Sequence, residues 1–207
     1  MNHSFLLPLL AIPVTAALIL FFRRHALQLG VVDVPGGRKH HHGEIPLVGG
    51  LGMFGGLALI ALATGSFLAG HAAFFAAVSL LVVTGFVDDR SGLSPRIRFV
   101  LQAIAALIMV YGAEIRLDNF GNLFGFGDVT TGPFAAPITV FAVLGVINAI
   151  NMIDGVDGLA GGVVLIALLV FAAFAAAGGY LGLTMLLPLA AVIIGFMVFN
   201  LRTPWRS

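Results

Sequence analysis

Cysteine is absent from the 207-residue chain and charge is scarce: Lys, Arg, Asp and Glu together make up 9% of it, where a soluble domain carries about 25%. The first absence excludes a disulfide framework, a thiolate metal site and a cysteine nucleophile, and leaves the redox compartment open. The second excludes an ordinary soluble globule, a disordered chain and a coiled coil. A net charge of +1 gives no electrostatic basis for binding nucleic acid. What fills the chain is apolar: 60% of residues are hydrophobic and the mean hydropathy is +1.11. Eighteen Phe and 27 Gly suit lipid-facing bulk and close helix contacts respectively.

Seven apolar runs approach the roughly 20 residues that a helix needs to cross a bilayer, at about 4–22, 47–65, 71–87, 98–113, 134–153, 159–177 and 181–200. A lone helix satisfies its own backbone in lipid, and the short alternating segments of a β-barrel are missing. The expectation is an all-α polytopic transmembrane bundle of about seven spans, a single integral membrane domain over residues 1–207. Arg23 and Arg24 follow the first run rather than precede it, so it reads as a retained anchor and not as a signal peptide. Alternating the spans brings nine of the ten basic residues to one face, with only Arg116 opposite. The positive-inside rule makes that face cytoplasmic, the N-terminus outside and the C-terminus inside. Six of nine acids, Asp33, Glu44, Asp88, Asp89, Asp154 and Asp157, fall on the same face from three separate loops. Such convergence would assemble one site, or simply solvate charges where loops permit. Loop 114–133 reads as a connector.

Three constellations could carry chemistry. Gly85-Phe86-Val87-Asp88-Asp89-Arg90 ends the third span. Adjacent carboxylates beside lipid need a cation, a proton or full solvation. Mg²⁺, a hard ion held by one or two carboxylates plus phosphates, would answer that need, and so would a solvated turn paired with Arg90. Asn148, Asn151 and Asp154 recur at three-residue spacing, with Asp157 following, and form a polar stripe entering an apolar span. Amides there serve either as helix contacts or as a wet site. Asp33 precedes a basic stretch, Arg38-Lys39-His40-His41-His42, which could hold phosphates or merely satisfy the charge bias of a cytoplasmic loop. Three consecutive His cannot readily face one ion. Gly50-Leu51-Gly52-Met53-Phe54-Gly55 matches a dinucleotide-binding pattern but opens an apolar span instead of leaving a strand, so it is rejected.

Taken in order, VVDVPGGRKHHHGEIPLVGG at 31–50, GFVDDRSGLSPRIRFVLQ at 85–102 and INAINMIDGVDGLAGG at 147–162 resemble the bacterial polyprenyl-phosphate N-acetylhexosamine-1-phosphate transferases. The wording NMIDGVDGL is closest to the branch that uses UDP-N-acetylglucosamine. The resemblance implies attack of a lipid phosphate on the sugar-proximal phosphorus of a UDP-N-acetylhexosamine, giving UMP and a lipid-linked pyrophosphoryl sugar for cell-envelope polysaccharide. It implies a multi-pass protein of the bacterial inner membrane, an active site on the cytoplasmic face and Mg²⁺ as cofactor. By motif, Asp88 and Asp89 take the catalytic role and Asp89 and Asp154 the metal. Asp33, Arg38, Lys39, His41, His42, Asn148, Asn151 and Asp157 take substrate binding. The expected partners are polyprenyl phosphate, the UDP-sugar and membrane lipids, with homo-oligomerisation as a further outcome and no nucleic acid. The family pattern continues beyond a seventh span with a Phe-Met-Gly-Asp-Ala-Gly-Ser type motif, whereas this chain stops at Ser207. That departure sets the expectation of a fragment or truncated product which inserts in a membrane without turning over substrate. The competing reading is an inactive remnant or a transporter, which would place its polar groups near the bilayer midplane.

Overall fold

The computed structural model describes residues 7–30, 32–33, 45–65, 71–178 and 183–201. Among them are seven α-helices, α1 (Ala11–Leu29), α2 (Gly49–Ala63), α3 (Ala72–Ser91), α4 (Pro95–Gly112), α5 (Ala135–Ile153), α6 (Leu159–Gly178) and α7 (Leu183–Asn200). A short 3-10 turn, Leu7–Leu10, leads into α1, and another, Gly132–Phe134, into α5. Six of these helices are long and apolar enough to span a membrane, and the chain is a polytopic helical bundle. The exception is α2, whose 15 residues reach about 22 Å at 1.5 Å per residue, short of a hydrocarbon core of about 30 Å. Two residue pairs form a minimal antiparallel ladder, β1 (Val32–Asp33) on β2 (Ile45–Pro46), with Val32 opposite Pro46 and Asp33 opposite Ile45.

Several helix ends lie outside the apolar runs. The first helix continues past Arg23 and Arg24 to Leu29, because nothing breaks it before Gly30. That glycine takes φ 69°, and its N–H closes the helix on the carbonyls of Ala26 and Leu27. In α3 the helix runs through Asp88 and Asp89 to Ser91 and stops where Gly92, at φ 68°, donates to the Asp88 carbonyl at 2.8 Å. Helix α4 then starts three residues earlier than its apolar run. Ser94 caps it, accepting the Ile97 N–H at 3.4 Å, and Pro95 occupies the first turn, where its missing N–H costs nothing.

Close packing joins α1, α2 and α7. Thr15 is fully buried there, and a methyl group at Gly56 would collide with its hydroxyl. A methyl at Gly195 would meet Ile12 and Thr15. Small residues thus let three backbones approach where lipid supplies no hydrophobic drive. Pro188 sits buried inside α7, a position membrane helices tolerate when neighbouring helices pack around it. Helix α6 packs on α7, while α3, α4 and α5 pack in series and α5 touches α6 only lightly. The open α3–α4–α5 series is what positions the site.

Candidate functional site

The α3–α4 junction fixes Asp88. Its Oδ1 accepts the Leu93 N–H at 2.8 Å, and its Oδ2 pairs with Arg98 Nη1 at 3.1 Å. One carboxylate therefore ties off the helix end while facing a guanidinium from the next helix. Arg90, on the other side of the same turn, donates to the Leu29 carbonyl at 3.3 Å and ties the end of α1 to the end of α3.

Beside Asp88 lies a cleft of about 290 Å³ between α3, α4 and α5. Arg98 and Gln102 line it from α4, Asn148 and Asn151 from α5, and Thr84 and Gly85 from α3. Asn148 Nδ2 donates to Gln102 Oε1 at 2.9 Å and to the Leu144 carbonyl at 2.8 Å. Both amide hydrogens are thereby committed, leaving the carbonyl oxygen to accept a donor or a cation. The amide stripe is helix glue and cleft wall at once.

The two adjacent acids part company. Asp89 lines a separate cleft of about 240 Å³ against α2, with Leu47, Gly50, Leu51 and Phe86. Successive helical residues point about 100° apart at 3.6 residues per turn, so continuing α3 through this pair sends them to different flanks. Asp154 and Asp157 belong to the turn between α5 and α6 and do not line the Asp88 cleft. That turn is held by Gly158, at φ 80°, whose N–H donates to Asn200 Oδ1 at 2.7 Å. Partial burial, and secondarily the Asp157 carboxylate, hold Asp154 above the ordinary carboxylate pKa. Among the described residues, no three His, Asp or Glu side chains gather closely enough to hold a metal between them. Asp33 is placed by its backbone in β1; Arg38, Lys39, His41 and His42 lie outside the described residues.

Arg98 and Gln102 are functional candidates that sequence reasoning passed over. Their signal was present: two polar residues four apart share one face of a helix that otherwise carries charge only at Arg96. The resulting donor set is specific in kind. A guanidinium suits a phosphate, and one carboxylate with amide oxygens suits a hard cation that keeps much of its water. The two bonds on Asp88 leave further lone pairs available to such an ion, so these residues fit Mg²⁺.

A profile of glycosyl transferase family 4 matches residues 71–204, running from the start of α3 through α7. Three similar proteins are undecaprenyl-phosphate alpha-N-acetylglucosaminyl 1-phosphate transferases. That of Salmonella typhi is 36% identical over 129 residues, 62% of this chain and 35% of its own length. That of Yersinia pestis is 37% identical over 127 residues, 61% and 35%. That of Escherichia coli strain K12 is 35% identical over 136 residues, 65% and 37%. The aligned stretch thus spans little more than a third of these relatives. It is the profile, covering well over half of this chain and every residue of the Asp88 cleft, that settles kinship: the chain belongs to glycosyl transferase family 4.

Proposed function

We propose that the Asp88 cleft serves the transfer of an N-acetylhexosamine 1-phosphate from a UDP-sugar to polyprenyl phosphate, for cell-envelope polysaccharide. The observation that carries this reading is the pairing of Asp88 with Arg98 at the mouth of a polar cleft in an apolar bundle. An enzyme acting on a lipid headgroup needs its charges at one end of the spans, next to where the phosphate sits. A transporter needs them along a path near the midplane. In the proposed reaction an oxygen of the lipid phosphate bonds to the sugar-proximal phosphorus, the bridging P–O bond breaks, and UMP leaves with the bridging oxygen.

The roles follow from placement. Arg98 receives the acceptor phosphate and offsets its charge, exchanging part of its contact with Asp88 for the ligand. Asp88, held at a fixed angle by the Leu93 N–H, takes the proton from a monoprotonated lipid phosphate. Asn151 and Gln102 orient the diphosphate through their amide N–H groups, while Asn148, its hydrogens committed, offers its carbonyl oxygen to the cation or to a sugar hydroxyl. Asp89 acts from its separate flank, and Asp33, Arg38, Lys39, His41, His42 and Asp157 remain candidates for the nucleotide-sugar. Mg²⁺ would be held by Asp88 and the amide oxygens and would supply charge neutralisation at the diphosphate; Asp89 and Asp154, which do not line this cleft, would hold a metal only apart from it. The basic end of the bundle would face the cytoplasm of a bacterial inner membrane.

Isotope transfer separates this reading from a transport role. Membranes carrying the chain joined to the remainder of the Escherichia coli relative receive undecaprenyl phosphate, Mg²⁺ and a UDP-sugar labelled in the hexose. The expected outcome is label in the lipid extract matched by UMP in the aqueous phase. Accumulation of intact UDP-sugar inside sealed vesicles, with no lipid label, would contradict the proposal.

A further inference from the structure

Asp154 and Asp157 sit on a turn that the helices it joins hardly hold. Helices α5 and α6 touch only lightly, and every residue from Asn151 to Asp157 is exposed. Gly158 is buried instead. Its carbonyl accepts the Gly162 N–H at 2.8 Å, which begins α6, and its N–H donates to Asn200 Oδ1 at 2.7 Å. One backbone group of this glycine is thus committed to its own helix and the other to the end of α7.

The surroundings make that contact a clamp. Gly158 takes φ 80°, a conformation that a side chain would strain, and a methyl group there would collide with Leu201. A methyl at Gly161 would meet Met197, so the end of α7 seats the first turn of α6 at close range. A buried N–H needs an acceptor, and Asn200 supplies it from a helix end rather than from the exposed turn itself.

The peptide plane that carries this N–H is the Asp157–Gly158 link. Because that unit is planar, fixing the direction of the N–H fixes the backbone on which the Asp157 side chain stands. Asp157 in turn lines a cleft of about 390 Å³ with Gly155, Val156 and Leu201. We infer that Asn200 is a positioning residue, which holds the Gly158 N–H from α7 and thereby sets the Asp157 carboxylate toward the nucleotide-sugar. The inference rests on the transferase reading for the ligand, and on the structure alone for the clamp.

The test reads the clamp and its consequence separately. Asp-Gly occurs only at 154–155 and 157–158, so aspartate labelled with carbon-13 at the carbonyl and glycine labelled with nitrogen-15 mark two amides alone. Asp154→Asn removes the Gly155 signal and identifies that of Gly158. In the full chain in lipid nanodiscs, Asn200→Leu and Asn200→Ala, which lack an acceptor, should speed exchange of the Gly158 amide by about tenfold or more. Asn200→Asp keeps an oxygen at the same reach and should retain the protection. In the chain joined to the remainder of the Escherichia coli relative, Asn200→Ala should raise KM for the UDP-sugar about tenfold and leave kcat within about twofold. Equal Gly158 exchange in the parental and Asn200→Ala proteins would overturn the clamp, and an unchanged KM despite a released amide would overturn the positioning role. A parental fusion that releases no UMP would contradict the transferase reading instead, with the exchange rates still deciding the clamp.

Discussion

Asp88 and Arg98 carry the account at the scale of single residues. Their ion pair is half open to solvent, with side chains 23% and 38% exposed, so it contributes at most about 1 kcal/mol to stability. Substitution should therefore be read in function. Arg98→Ala should lower UMP release by about 100-fold through loss of an electrostatic stabiliser, with thermal unfolding nearly unchanged. A large fall in melting temperature with activity per folded molecule intact would make Arg98 a structural residue only. Asp154 offers a pH test. Its folded carboxyl binds a proton more tightly than the unfolded one, so its stabilising contribution is full below about pH 3.9. That contribution is lost as pH rises through the raised folded value. Asp157→Asn removes the second cause, and the Asp154 titration, followed by carboxyl carbon shifts, should move to lower pH. An unmoved titration would show that Asp157 is not felt there.

Helices show what a hydropathy reading can and cannot deliver. Apolar run length located every described helix, since such a run is visible without knowing its neighbours, but the run at 47–65 yields a 15-residue helix, α2, too short to count among the six spans. Helix ends were less legible because they depend on breakers and caps. Asp88 and Asp89 looked like a loop pair until α3 was seen to continue to Gly92, and that extra turn separates them into two clefts. The Ser94-Pro95 start of α4 was readable as a cap, and the run at 98–113 already set Arg98 and Gln102 four apart on one helical face. Close packing yields a prediction at this scale. Gly56→Leu should cost about 1–3 kcal/mol by overpacking against Thr15, whereas Thr15→Val removes a buried hydroxyl that has no partner among the described residues and should raise stability. Melting in lipid nanodiscs would check both, and a stable Gly56→Leu would show that α1, α2 and α7 are looser than described.

Across the whole molecule, an apolar bundle gathers most of its charged residues at one end, where α3, α4 and α5 pack side by side, and leaves Glu114, Arg116, Asp118 and Asp128 at the other. The three sequence anchors foresaw the family. They could not foresee that Asp88 would join Arg98 and the amide stripe while Asp89 faces α2, since this depends on helix phase and neighbour order. The central claim is that Asp88 is the carboxylate at the reacting phosphate. Its most direct test is Mg²⁺-dependent UMP release by membranes carrying the parental and Asp88→Asn proteins, each joined to the same remainder of the Escherichia coli relative and matched for folded protein. Asn still accepts the Leu93 N–H, so the fold should hold while release falls by at least about 100-fold. Near-parental release from Asp88→Asn would contradict the account.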